Sequence, residues 1–184
     1  MKEQYYLVSQ LPDISSAGEK STLPITEKYY RDLCSRFLDE SDRAVLEKLS
    51  LEPPRNPEAT GSDFLDNWYS FERSLRFALA QIRAQKRKKD VGTIPVSITA
   101  DIVQAARTAV GMDSPLSAEQ FLYEYRLSVL NTMQPLNGFS VDAVFAYGVR
   151  LMLVQRMKVF DKEKGTDSYH KIYDSILKGD MGDK

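Results

Sequence analysis

The feature that most constrains this chain is an apolar stripe within residues 63–89. Phe64, Leu65, Trp68, Phe71, Leu75, Leu79 and Ile82 recur at the three- and four-residue spacing of one helical face. Ser62 or Asp63 opens the segment, and the pattern persists to Lys89. At 1.5 Å per residue such a helix is about 40 Å long. A chain of 184 residues forms one domain or two small ones. A rod of that length must therefore organise the other elements or project from them.

The segments beside it cannot continue it. "EPPRNPEATGSD" upstream carries three prolines, which no helix interior accepts, and "DVGTIPVS" breaks the chain downstream. The remaining periodic stretches are helical too. Tyr30, Leu33, Cys34, Phe37 and Leu38 form one buried face of a helix opening at Thr26. A shorter helix over 41–51 turns Val45, Leu46 and Leu49 inward. Thr99 is the expected cap of a helix burying Ile102, Val103, Ala106 and Val110, with Gly111 just past its end. Pro115, with Ser117 and Gln120 as a capping box, starts a helix to Met133 that buries Phe121, Leu122, Tyr125, Val129 and Met133.

Ser140 caps "VDAVFAYGVRLMLVQRMKVF", apolar almost all round and so the expected central helix. A last helix from Thr166 would bury Tyr169, Ile172, Tyr173, Ile176 and Leu177. The opening "YYLVSQLP" reads as a short strand or an extended arm laid on the core, followed by loop over 12–24. The expected fold is an all-α bundle of about seven helices in a single domain. A Pro-rich break at 52–62 separates an N-terminal helical pair from the main bundle.

Little chemistry is written into this pattern. Cys34 is the only cysteine and His170 the only histidine, which excludes an internal disulfide and thiolate-rich zinc sites. Cys34 lies on a core-facing position and His170 one residue off its helix's apolar stripe. There is no P-loop, dinucleotide fingerprint or nucleophile elbow. No catalytic, metal or cofactor-binding residue is assigned, and the expected reading is a protein that is not an enzyme. No run approaches the roughly 20 apolar residues of a membrane span, and the N-terminus lacks a signal-peptide core. A cytoplasmic protein is expected, attached to a membrane only through a partner.

Charge is where the chain is uneven. Net charge is −1, yet residues 63–90 hold 7 basic and 4 acidic side chains against 8 and 11 in residues 1–62. The excess sits in "IRAQKRKKD", at the end of the long helix. Cations in a last helical turn complement its dipole. They also suit an acidic partner, whereas the base-stacking aromatics that accompany cations in many nucleic-acid sites lie at the helix's other end. Arg73, Arg76, Arg83 and Arg87 fall off the apolar stripe, with Glu72 and Arg76 as i, i+4 partners. Arg150 and Arg156 lie among apolar neighbours on the central helix and must snorkel, pair or face a partner.

Three blocks also carry a family likeness: "YYLVSQLPD", "FLDNWYSFERSLRFALAQIRAQK" and "NGFSVDAVFAYGVRLMLVQRMKVFDKEKG". Together they resemble an uncharacterised bacterial family whose members are typically encoded among the subunits of V-type (archaeal-type) ATP synthases. The last block is also similar to the end of the C-type central-stalk component of those machines, the d-type component in eukaryotes. The matching positions are Ala146 and Tyr147, then Arg156, then Lys164 and Gly165, then the helix holding Ile172. The chain departs from the stalk component in its length, short of three helical repeats. It also has Leu151, Met152 and Leu153 where the stalk component carries an acidic residue.

The resemblance implies a non-catalytic component of the V-type ATP synthase, in the manner of a linker between the soluble motor and the membrane ring. Its partners would be other subunits of the complex, in the ring or the central stalk. The candidate partner-binding residues are Arg73, Arg76, Arg83, Lys86, Arg87, Lys88, Tyr147, Arg150 and Arg156. The alternative is a free-standing helical adaptor, assembly or regulatory protein, binding nucleic acid through residues 83–89.

Overall fold

A computed structural model describes residues 3–14, 23–56, 58–88, 97–160 and 172–173. Among these residues the fold is all-α. Its helices in chain order are α1 (Tyr5–Gln10), α2 (Glu27–Phe37), α3 (Glu40–Lys48), α4 (Asp63–Lys86), α5 (Ala100–Gly111), α6 (Pro115–Met133) and α7 (Val141–Val159). None of them is long and apolar enough to cross a membrane.

α7 is the axis of the assembly. Eleven of its residues are buried, from Val141 to Met157, on every side of the helix. α2, α4 and α6 all pack on it, so the apolar circumference is covered by three neighbours. Gly148 lets α2 and the α3 end approach. A Cβ there would lie 2.6 Å from Tyr30 Oη and 2.7 Å from Leu49 Cδ2. The Tyr30 hydroxyl uses that closeness to donate to the Val144 carbonyl at 2.8 Å.

α4 contributes Phe64, Leu65, Trp68, Phe71, Leu75 and Leu79 to the core as the stripe predicts, with Ile82 half-buried against it. The same cluster holds Leu33, Cys34, Val45 and Leu46 from α2 and α3. The Pro-rich connection is pinned to α4. Tyr69 Oη donates to the Lys48 carbonyl at 2.6 Å and accepts the Ser50 N–H at 3.1 Å. Gly61, at φ +96°, makes the turn into the Ser62 cap, a conformation that glycine enters without strain. Ser62 Oγ accepts the Leu65 N–H and donates to Asp142 of α7, joining the starts of the two main helices.

Several local expectations need correction. Residues 5–10 are a helix, neither strand nor extended arm, because Gln4 N–H is held by the Phe139 carbonyl at 2.7 Å and Leu7 is fully buried. Tertiary anchoring there overrides the strand preference of the tyrosines. α6 is capped by Ser114, one residue before Pro115, and not by Ser117. Gly111 is the last helical residue of α5, and Met112 leaves in an extended conformation. α4 stops at Lys86 because Lys88 turns to φ 52°. Phe37, expected inward, is 40% exposed. Ile172 and Tyr173 are helical but exposed where burial was expected. The rest of the expected last helix, including His170, lies outside the described residues, as do Lys164 and Gly165, residues 15–22 of the first loop and Lys89.

Candidate functional site

The nine candidate residues fall into three neighbourhoods. The first is the end of α4. Three carbonyls of its last turn accept backbone donors: Arg87 N–H bonds to Arg83 and Ala84, and Lys88 N–H to Gln85. Arg83, Lys86, Arg87 and Lys88 are all exposed there. Lys86 Nζ donates to the Val110 carbonyl at 3.1 Å, tying the end of α4 to the end of α5. Beside this tie runs a groove of about 280 Å³, walled by Arg83, Lys86 and Arg87 and floored by Val110, Met112 and Ala118. The guanidiniums of Arg83 and Arg87 have no hydrogen-bond or ion-pair partner among the described residues.

The second neighbourhood is a cleft of about 600 Å³ between the segment after α1 and the α6–α7 corner. Val8, Leu11, Ile14 and Pro135 supply apolar walls, with Tyr147 and Arg150 from α7. Tyr147 Oη donates to the Pro12 carbonyl at 2.8 Å, and its ring stacks on Tyr30 with centroids 5.8 Å apart. Burial, the nearby Asp13 carboxylate and Cys34 push the Tyr147 phenol up to about 12. It is a neutral hydrogen-bond donor at ordinary pH. Arg150 donates to the Asn131 side chain on α6. Both candidates thus have internal tasks, holding the N-terminal segment and the α6 end.

The third neighbourhood is ionic. Arg76 donates to Glu72 at 3.2 Å and to the Leu51 carbonyl at 3.3 Å, and lies 3.5 Å from Glu52. It clamps the Pro-rich connection to α4. Glu72 is 1% exposed and also receives Arg126 of α6, through Nε to Oε1 and through Nη2 to Oε2 at 3.3 Å. Arg73, one residue along, is half-buried. Arg156 reaches Glu119 of α6 at 3.4 Å, beside Phe160.

Arg126 is the residue that sequence reasoning missed. The signal was present: Leu122, Arg126 and Leu130 repeat every four residues, so an arginine occupies a core register of α6. Glu72 likewise falls between Trp68 and Leu75 on the buried stripe of α4. Two charges in buried register on two facing helices imply a pair.

The remaining chemistry is subdued. Among the described residues no group of His, Cys, Asp or Glu is placed to hold a metal ion. Cys34 is buried, and burial pushes its thiol up to about 11, which suppresses the reactive thiolate. Burial likewise raises the Tyr30 phenol well above its ordinary value.

Residues 109–180, which include all of α6 and α7, match the profile of a family described as "Protein of unknown function (DUF2764)". The matched segment is less than half of the chain. No curated protein and no solved structure matches.

Proposed function

We propose that this chain is a non-catalytic component of a V-type ATP synthase, working on the cytoplasmic side as a linker between the soluble motor and the membrane ring. The reading starts from the three-block resemblance. One structural observation supports it: the three blocks, far apart in sequence, meet in one packed unit. Pro12 of the first block, and Gln4 just before it, bond to Tyr147 and Phe139 of the third. α4, which is the second block, packs along α7 of the third.

The mechanism asked of such a component is mechanical. It must hold two partners at a fixed separation while torque passes through it. Packed helices with few free joints suit that task, because close-packed interiors transmit strain instead of absorbing it. α4 supplies a rod of 24 residues fixed at its start by Ser62–Asp142 and along its length by Glu72–Arg126. Its cationic end is left for a partner.

The test is affinity purification of the tagged protein from gently solubilised native membranes. Recovery with V-type ATP synthase subunits in fixed ratio is the expected result. Recovery of the protein by itself, from the soluble fraction, overturns the proposal in favour of a free-standing adaptor.

A further inference from the structure

The groove at the end of α4 combines two surfaces of different chemistry. One wall is cationic: Arg83, Lys86 and Arg87, on the last turn of α4 and its cap. The floor is apolar and comes from the α5–α6 turn, through Val110, Met112, Pro115 and Ala118. These elements are held in register by Lys86 donating to Val110. One carboxylate, Asp113, also lines the groove.

Complementing the α4 dipole accounts for cations at this end but not for the apolar surface set beside them. The Arg83, Ala84 and Gln85 carbonyls have backbone donors, and the one lysine that bonds a carbonyl here bonds that of Val110 on α5. Arg83 and Arg87 therefore present guanidinium forks without an internal acceptor among the described residues. Planar forks of this kind match carboxylates in a two-point bond, more specifically than an ammonium does.

The dimensions narrow the occupant. At about 280 Å³ and largely open to solvent, the groove does not enclose a small molecule. It fits side chains delivered by a protein surface. The apolar floor beside the cations argues against a phosphodiester backbone, which offers charge without an aliphatic side chain. No base-stacking aromatic lines it.

We infer that this groove binds a segment of a partner protein that presents carboxylates next to an aliphatic side chain. The carboxylates bond to Arg83 and Arg87, and the aliphatic group covers Met112 and Ala118. Asp113 repels a segment whose acid falls on the wrong side and so fixes its orientation. The inference rests on the preceding reading only in taking the partner to be a protein.

The experiment uses the full chain and four labelled probes in a fluorescence anisotropy titration. They are a short peptide alternating Glu and Leu, its Gln–Leu and Glu–Ser counterparts, and a single-stranded DNA of similar charge. The Glu–Leu peptide is expected to bind about tenfold or more tightly than each of the others. Arg83→Glu with Arg87→Glu should weaken it by a similar factor, and so should Ala118→Tyr, which fills the floor without touching charge. Circular dichroism confirms that each variant is folded. Equal binding of the Glu–Ser peptide would reduce the site to nonspecific charge and overturn the inference. Tighter binding of DNA would replace it with a nucleic-acid surface. Peptide binding without co-purification leaves the groove standing and removes the ATP synthase reading; co-purification without peptide binding does the reverse.

Discussion

Gly148 and Glu72 are the residues on which the packing depends most sharply. At Gly148 a methyl group would meet the Tyr30 hydroxyl and a Leu49 methyl well inside contact distance. Gly148→Ala is expected to cost about 1–3 kcal/mol through overpacking, against its small gain in helix propensity. A lowered urea midpoint with unchanged slope would register it. Glu72 sits buried between two arginines, one of them also nearly buried. Glu72→Ala strands the Arg126 guanidinium and should cost about 3–5 kcal/mol. Replacing both, as Glu72→Leu with Arg126→Met, should recover most of that loss, because the cost lies in an unpaired buried charge. A double variant no more stable than Glu72→Ala would show that the pair supports something other than itself.

At the level of elements, α1 is the dependent one. Six residues with one fully buried side chain cannot sustain a helix in water without tertiary contacts. Its anchors are Gln4 to Phe139, the Tyr5–Phe139 ring contact at 4.5 Å, and Tyr147 to Pro12 just beyond. Tyr147→Phe removes the last of these at a cost of about 1 kcal/mol. Hydrogen exchange should then speed up at the amides of residues 7–10 while those of α4 and α7 are unaffected. Uniform acceleration throughout the protein would mean that α1 unfolds only with the whole.

The whole molecule should be sensitive to alkali. Burial raises the phenols of Tyr30, Tyr69 and Tyr147 and the thiol of Cys34, and also Tyr125, where the Asp101 carboxylate adds to it. A group whose folded pKa exceeds its unfolded value stabilises the fold fully below the unfolded value. That contribution is lost as pH rises through the folded one. With an unfolded tyrosine near pH 10 and Tyr147 at about 12 in the fold, stability from these phenols should hold to about pH 9 and fall between about 10 and 12. Melting temperatures across that range check it. Tyr147→Phe should make the fall shallower, since Phe has no proton to lose.

The helices of the bundle were legible wherever one face was apolar over several turns. Trp68, Leu75 and Leu79 on α4 specified both the element and its buried side by spacing alone, and the all-round apolar run from Val144 to Met157 marked α7 as central. The ends were less so: Ser114 and Ser117 both satisfy a capping rule, and Pro115 at the first helical position selects Ser114. Of the candidate arginines, spacing said which lay off the stripe but not what each would meet. Arg76 and Arg156 found carboxylates and Arg150 an asparagine, while Arg83 and Arg87 were left facing a groove whose floor comes from another part of the chain. The sequence by itself determined the helical class, the central place of α7 and the cationic end of α4, because these depend on residues within a few turns of one another. The tertiary structure decided that residues 5–10 are helical, that Glu72 and Arg126 pair, and that cations of α4 border an apolar floor from the α5–α6 turn. Each of those joins residues distant in the chain, and no local periodicity encodes which surfaces will meet.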